Sequence, residues 1–183
     1  PRIDYTDGGC PVLLTEPQST NKMTNSEDFS NYLFSGVTTT PYYGISPSGN
    51  QDSTRIVFDS SDDVIYKLST HSGNTETTSI YVKGASGETI RFGRSATVNG
   101  GSLFTLNGGW QRLEEVSTSG NQLTINTYSG ATSRDIEVWG TQVEELSYAT
   151  SYIPTYGAVR TRLQESVIGA GTSSDFNSAE GVL

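Results

Sequence analysis

RDIEVWGTQVEELSYATSYIPTY, residues 134–156, is the stretch that decides the fold. In its first half, Ile136 and Val138 point to one side of the chain, while Glu137 and Trp139 point to the other. A repeat of two is typical of a β-strand with one face buried and one face open to solvent. We therefore predict a long strand here, with the aliphatic side chains in a core and Trp139 on the outer face.

The second half of the stretch follows a break in that alternation. Gly140 predicts a bulge or a close approach of another backbone. Residues 148–156 contain three tyrosines, one isoleucine and Pro154, which is too apolar for a free loop and too irregular for another strand. We interpret this part as an extended segment strapped across a sheet.

The rest of the chain consists of short strand-like runs between turns. Of the 183 residues, 33% are hydrophobic and 20 are glycine, and ten Tyr, six Phe and two Trp can supply a core. Runs with strand character, separated by Gly, Asn and Ser, recur at residues 54–58, 64–68, 77–83, 89–94, 103–106 and 123–126. This spacing predicts one large all-β domain, an antiparallel sandwich.

Composition also narrows the class of partner. The net charge of −9 argues against a surface that follows nucleic-acid phosphates. No apolar run is long enough to span a membrane, so we predict neither nucleic acid nor membrane as a partner. The single cysteine, Cys10, excludes an intrachain disulfide. The single histidine, His71, lies in a turn without a neighbouring Cys or His and is a poor zinc ligand or catalytic base.

Several strings of the sequence resemble one group of proteins. WGTQVEELSYATSYIPT (residues 139–155) resembles the last strand and exit segment of β-jelly-roll carbohydrate-binding modules, which occur in phage virion proteins and in secreted polysaccharide-degrading proteins. LLTEPQSTN (13–21) resembles a leader that precedes such modules, and SIYVKG (79–84) resembles a central strand. The resemblance implies a jelly-roll sandwich and a binding module rather than an enzyme.

On this resemblance we divide the chain into three parts. They are an N-terminal extended arm at residues 1–24, a jelly-roll domain at 25–158 and a C-terminal linker at 159–183. Within the linker, residues 159–167 fit a short helix or an extended segment. Residues 176–183 resemble the start of a following concanavalin-like lectin domain, so we expect a piece of a longer, modular protein.

The resemblance also implies a function and a location. It implies a non-catalytic adhesion module on the virion surface of a bacteriophage, in a tail or head fibre or another appendage, that contacts bacterial surface glycans. The expected partners are a bacterial polysaccharide, other virion proteins and further copies of the chain in a homotrimer. Two alternatives stay open: a carbohydrate-binding module of a secreted polysaccharide-degrading enzyme, and a purely structural virion assembly domain.

A sugar site needs flat aromatic faces and planar hydrogen-bonding groups. The outward residues of three predicted strands offer both: Tyr81, Lys83, Arg91, Glu137 and Trp139. We predict that these strands share one sheet and that the five side chains form a carbohydrate-binding face. The alternative is that Trp139 and Tyr81 pack beneath the arm or against a neighbouring subunit.

A structural calcium site is a further expectation, although no cofactor is required. NSEDF (25–29) resembles the opening of the jelly roll in the same group, where an acidic residue beside a Phe lies near a calcium ion. Glu27 and Asp28 carry oxygen ligands of the type that calcium prefers, and they are the candidate ligands. The alternative is a solvated turn above a buried Phe29.

Carboxylate pairs raise the question of a glycosidase. The adjacent pairs are Asp62–Asp63, Glu114–Glu115 and Glu144–Glu145. Adjacent residues on a strand point to opposite faces, so none of these pairs can supply both catalytic acids from one strand. A pair from two strands, such as Glu114 with Glu137, stays open, but we predict that the chain is not an enzyme.

Overall fold

The computed structural model describes residues 2–4, 12–69, 71–127 and 133–166. Cys10 and the predicted start of a lectin-like domain at 176–183 lie outside the described residues. Within the described ranges the chain is all-β apart from one 3-10 helix, Phe29–Asn31. No helix in these ranges is long and apolar enough to cross a membrane.

Fourteen strands follow one another along the described parts of the chain. They are β1 (Arg2–Asp4), β2 (Val12–Leu14), β3 (Ser19–Asn21), β4 (Leu33–Ser35), β5 (Val37–Thr40), β6 (Thr54–Phe58), β7 (Val64–Leu68), β8 (Glu76–Lys83), β9 (Thr89–Ser95), β10 (Ser102–Thr105), β11 (Gln111–Ser117), β12 (Gln122–Asn126), β13 (Arg134–Glu144) and β14 (Arg160–Arg162). The six runs predicted before the long strand are confirmed as β6 to β10 and β12, and the long strand itself is β13.

Ten of these strands form two five-stranded antiparallel sheets. The front sheet has the order β11-β8-β13-β6-β5, and the back sheet has the order β10-β9-β12-β7-β4. From β6 to β9 the chain alternates between the two sheets at every strand, which is the crossing pattern of a jelly roll. The predicted antiparallel jelly-roll sandwich is therefore confirmed.

The core lies between the sheets and is built from the inward side of each strand. Ile136 and Val138 of β13 are buried there, as predicted, together with Ile80 and Val82 of β8. The back sheet contributes Ile90, Phe92, Leu123 and Ile125. Each large apolar side chain that is fully buried stabilises the fold by roughly 1.5–3 kcal/mol, so this layer is what holds the two sheets together.

A bulge divides β13 at Gly140. This residue has a φ of +66°, which glycine adopts without the clash that a Cβ would cause. The pairing of β13 with β8 shifts its register between Trp139 and Gln142. Because of that shift, Val143 returns to the core, whereas it would face outward if the alternation had continued. The predicted break is confirmed.

The arm joins the sandwich through β3, which pairs with β14. Asn21 of β3 is fully buried, and its Nδ2 donates to the carbonyls of Ile153 at 2.8 Å and Thr141 at 3.2 Å. Met23, two residues later, lies in the core. The other partner, Arg160–Arg162, falls in the predicted linker, so the helical alternative is wrong for these three residues.

A buried ionic cluster lies at the start of β8. Glu76 is fully buried, and its carboxylate contacts Lys22 Nζ at 2.7 Å and Arg94 Nε at 3.2 Å. Burial alone would raise the pKa of Glu76, but the hydrogen bond from Lys22 and the charge of Arg94 outweigh it and lower that pKa. Lys22 follows β3, Glu76 belongs to β8 of the front sheet and Arg94 belongs to β9 of the back sheet. The cluster therefore connects the segment after β3 to both sheets.

Candidate functional site

Four of the five predicted site residues come together on the outer face of the front sheet. Trp139 of β13 is in register with Tyr81 of β8, and Glu137 is in register with Lys83. The centroids of the two aromatic rings are 5.5 Å apart, and Lys83 Nζ lies 2.8 Å from Glu137 Oε1. The predicted facing of these strands is confirmed, since none of the four belongs to the core cluster.

Trp139 is covered by the chain itself. It is 6% exposed, and the Tyr152 ring lies over it with 4.5 Å between centroids. The next residue, Ile153, donates its backbone N–H to Gln142 Oε1 of β13 at 2.6 Å. Residues 148–156 therefore form the predicted strap. The expectation that Trp139 presents an open face to a sugar is wrong, because this strap lies on top of it.

The charged groups beside Trp139 are paired with one another. Besides its contact with Lys83, Glu137 accepts a hydrogen bond from Ser53 Oγ at 2.8 Å. Arg55 donates to both oxygens of Asp135, at 2.8 and 2.6 Å, and this pairing lowers the pKa of the Asp135 carboxyl. A ligand on this face would have to displace existing charge-assisted hydrogen bonds.

Arg91 lies apart from the other four predicted residues. Its strand β9 belongs to the back sheet, and Arg91 Nη1 donates to the Gly101 carbonyl at 2.8 Å. The prediction that the three strands share one sheet is therefore wrong. Alternation along a strand defines which side faces the core, but the sheet that a strand joins depends on pairing with distant segments.

A groove on another part of the surface carries exposed aromatic groups. Tyr42 and Tyr156 are 72% and 63% exposed, and both line a cavity of about 490 Å³. Its wall also contains polar side chains that can bond to sugar hydroxyls. We give the name tyrosine groove to the site formed by Tyr42, Tyr156, Asn25, Glu27, Asp28 and Asp52.

Tyr42 reaches the groove from an unusual backbone conformation. Its φ is +54°, a left-handed value that costs a non-glycine residue roughly 1–2 kcal/mol. Neighbouring hydrogen bonds maintain it, because Gln51 Nε2 donates to the Tyr42 carbonyl at 3.1 Å and the Tyr43 N–H donates to the Ser53 carbonyl at 2.8 Å. Strain of this kind clusters at ligand-binding sites.

Tyr156 is positioned at the end of the strap. Its backbone forms a β-bridge with Asn25, and Asn25 Oδ1 accepts the N–H of Gly157 at 2.8 Å. The guanidinium carbon of Arg160 lies 5.2 Å from the centroid of the Tyr156 ring, which is a cation–π distance. These contacts order the ring before any ligand arrives, and that reduces the entropy lost on binding.

Glu27 and Asp28 stand in the groove wall and have protein partners. The Tyr152 hydroxyl donates to Glu27 Oε1 at 3.0 Å. The Ser30 N–H and the Asn31 amide donate to the two oxygens of Asp28 at 2.9 and 2.8 Å. Asp28 therefore caps the 3-10 helix, and these hydrogen bonds, led by those from Ser30, lower its pKa.

Calcium binding by Glu27 and Asp28 stays a prediction. In the part of the chain that the structure describes, no three His, Cys, Asp or Glu side chains are grouped so that they could hold a metal ion. Both oxygens of Asp28 already accept hydrogen bonds, and Phe29 beside it is buried. This arrangement fits the solvated-turn alternative better than a set of calcium ligands.

The two glutamates considered as a catalytic pair lie on β11 and β13, which flank β8 in the front sheet. Glu114 is in register with Ser79 of β8, whereas Glu137, on the other side of that strand, is in register with Lys83. Strand spacings then place the two glutamate Cα atoms roughly 16 Å apart. The carboxyl groups of glycosidases are about 5–9.5 Å apart. His71, the other residue considered for catalysis, has its Nε2 3.6 Å from Glu76 Oε2 in the buried ionic cluster.

The tyrosine groove was missed by sequence reasoning. Tyr42 lies in a polar loop before a Ser-Pro-Ser-Gly-Asn turn, where an aromatic residue has no strand face to bury it, and this was the available signal. Tyr156 was interpreted only as part of the extended segment strapped across a sheet. Its contact with Asn25 joins segments that are far apart in the chain, and no local pattern predicts such a meeting.

Comparison with known sequences assigns no family to this chain. No family model matches the sequence, and no curated protein matches it.

Two solved structures are similar to this chain at low identity. One is the enzymatically active domain of tailspike protein 4 of bacteriophage CBA120, with 14% identity and a TM-score of 0.42 over 67% of this chain and 21% of that chain. The other contains the CBM22-1 and GH10 modules of Clostridium thermocellum endo-1,4-beta-D-xylanase 10B with xylohexaose, with 16% identity and a TM-score of 0.45 over 76% of this chain and 30% of that chain. At these values neither likeness assigns a ligand or an activity.

Proposed function

We propose that this chain is a non-catalytic carbohydrate-binding module that holds a glycan in the tyrosine groove. The observation that carries the proposal is the exposure of Tyr42 and Tyr156, 72% and 63%, on the wall of one cavity. A pyranose ring has an apolar face that packs on an aromatic ring and hydroxyls at its rim that need donors and acceptors. The groove supplies both kinds of group.

The size and preparation of the groove fit this role. Its volume of about 490 Å³ lies within the range of small-ligand sites, roughly 300–1,000 Å³. Tyr42 is held in place by the hydrogen bonds of its loop, and Tyr156 by the bridge to Asn25. When the aromatic side chains of a site are already ordered, less conformational entropy is lost on binding.

The absence of catalysis is part of the proposal. One oxygen of Asp28 accepts the Ser30 N–H and the other accepts the Asn31 side-chain amide, and Glu27 accepts a hydrogen bond from Tyr152. The Cα atoms of the inter-strand pair Glu114 and Glu137 lie roughly 16 Å apart by strand spacing, and each carboxylate has a cationic neighbour on its own side, Arg112 at 3.9 Å and Lys83 at 2.8 Å. Incubation of the chain with any glycan that it binds should release no shorter oligosaccharide, and release of one would refute this part of the proposal.

The setting that we propose is the virion surface of a bacteriophage, in a fibre or another appendage that contacts bacterial surface glycans. The resemblance of residues 139–155 and 13–21 to virion modules supports it. The proposed partners are a bacterial polysaccharide, other virion proteins and two further copies in a homotrimer. The neighbouring domains of the parent protein distinguish this setting from a secreted enzyme, since a fibre stalk supports the first and a glycosidase domain the second.

One observation favours a purely structural assembly domain as the second candidate. Leu33 and Phe34 of the edge strand β4 are 50% and 55% exposed. An exposed apolar edge strand is a site where another chain can dock. A domain that used this edge and bound no glycan would contribute to assembly alone.

A glycan array probed with this chain separates the two candidates. We expect a small set of bacterial glycans to bind, and we expect Tyr42→Ala and Tyr156→Ala to remove that binding. Tyr148→Ala is the matched control, because Tyr148 is 51% exposed and does not line the groove. An array without any bound glycan would leave the assembly domain as the better account.

A further inference from the structure

The charges of the tyrosine groove indicate what kind of glycan it selects. Its charged lining residues in the described ranges are Glu27, Asp28 and Asp52, and no lysine, arginine or histidine lines it there. Three carboxylates around one cavity create a negative potential, which a low-dielectric wall intensifies. The chain as a whole carries a net charge of −9, so distant residues do not reverse that potential.

Two cations lie near the groove without lining it. Arg160 stands over the Tyr156 ring. Lys67 interacts with the charge of Asp28, but its Nζ lies 3.4 Å from Thr24 Oγ1 and packs over a core tyrosine ring. One carboxylate charge is left over even when both cations are counted fully, and neither cation presents a donor inside the cavity.

Within the described residues, the hydrogen bonds to the groove carboxylates come from uncharged donors. Asp52 Oδ2 accepts a hydrogen bond from Ser48 Oγ at 3.1 Å, and Glu27 Oε1 accepts one from the Tyr152 hydroxyl at 3.0 Å. Burial raises the pKa of Glu27, and the charge of Asp52 adds to the rise against lowering hydrogen bonds from Tyr152 and Tyr156. The groove carboxylates therefore have no hydrogen-bonded cation within the described residues.

We propose that the tyrosine groove selects glycans that carry a protonated amino group, as in a hexosamine with a free amine, over neutral and acidic glycans. The proposal rests on the glycan-binding function proposed above. An ammonium group presents three donors, and charge-assisted hydrogen bonds are about twice as strong as neutral ones. The carboxylate of a uronic acid would meet like charges on the groove wall.

The test compares three β-linked oligosaccharides of equal length, built from glucosamine, glucose and glucuronic acid. The first two differ in the group at one ring carbon, and the third carries a carboxylate. Isothermal titration is done with this chain at a pH where the amine is protonated. We expect the glucosamine oligomer to bind about tenfold more tightly than the glucose oligomer, and the glucuronate oligomer to bind most weakly. The preference should shrink as salt is added.

Variants connect the preference to the groove. Asp52→Asn and Glu27→Gln keep the shapes of the side chains and remove one charge each, so each should lower affinity for the glucosamine oligomer by a larger factor than affinity for the glucose oligomer and thereby reduce the preference for the amine. Asp62→Asn is the matched control, because Asp62 is exposed and lies outside the groove. Melting curves verify that all three variants are folded. Two groove variants are used so that the test can still be made if one of them does not fold.

The outcomes separate this proposal from the one on which it rests. Equal affinity for the glucosamine and glucose oligomers, or array ligands that all lack a free amine, would overturn the selection of amines. The glycan-binding function would still stand if Tyr42→Ala and Tyr156→Ala removed the binding. Binding of no glycan of any kind would overturn both.

Discussion

Replacement of Trp139 by alanine tests whether the strap lies on the front sheet as described. The indole is 6% exposed and lies between the rings of Tyr152 and Tyr81. Emptying a buried aromatic site costs roughly 3–5 kcal/mol. Against this loss, Trp139 Nε1 has no hydrogen-bond partner among the described residues, and removing a buried unpaired donor returns about 1 kcal/mol or more. We expect a net loss of about 3 kcal/mol in the free energy of unfolding.

Thermal and urea denaturation measure this change. A loss of about 3 kcal/mol corresponds to a fall of roughly 6–12 °C in Tm for a domain of this size. Trp139→Phe is the matched control, since it keeps an aromatic ring against Tyr152 and removes the unpaired N–H, and we expect it to cost less than about 1.5 kcal/mol. An unchanged Tm for Trp139→Ala, together with a loss of glycan binding, would show that the indole is open to ligand and that the reasoning is wrong.

Tyr42→Gly is expected to raise the free energy of unfolding by about 1 kcal/mol, because glycine adopts the φ of +54° without strain. The same variant should bind glycans more weakly, and reduced stability in urea would contradict the prediction. Stability is expected to fall as the pH drops below about 4.5, because the pKa of Glu76 is lowered in the folded state from 4.5 and its ion pairs are lost on protonation. Glu76→Gln should remove this part of the pH dependence, and an identical profile would count against the cluster. EDTA is expected to leave Tm unchanged because Asp28 caps a helix, and restoration of a lowered Tm by calcium would establish the ion site instead. Light scattering on a longer chain with its flanking regions should give the mass of a trimer, and a monomer at micromolar concentration would argue against it.

The sequence was sufficient where the cause of a structure is local. In β13 the alternation of Ile136 and Val138 with Glu137 determined which side faces the core, and Gly140 marked the bulge. A strand has a period of two wherever one face is buried, so this pattern does not depend on knowing the partner strands. The strap was predictable for a similar reason, because its tyrosines and isoleucine need cover.

The sequence was insufficient where two distant segments meet. The sequence of β9 does not identify β10 and β12 as its partner strands, so Arg91 was placed in the wrong sheet. Nothing near Trp139 states that Tyr152 will stack on it. The tyrosine groove depends on a loop, the strap and the segment around Asp52, and such a site is created by tertiary contacts rather than by local propensity.

Glycan binding by the two groove variants tests the central claim most directly. The measurement is the affinity of Tyr42→Ala, Tyr156→Ala and Tyr148→Ala for the tightest array ligand, with a melting curve for each variant. Our account predicts that the first two lose at least about tenfold in affinity, since stacking on one aromatic ring contributes of the order of 1–2 kcal/mol, while Tyr148→Ala binds like the unaltered chain. Unchanged binding in both groove variants, with all three proteins folded, would contradict it.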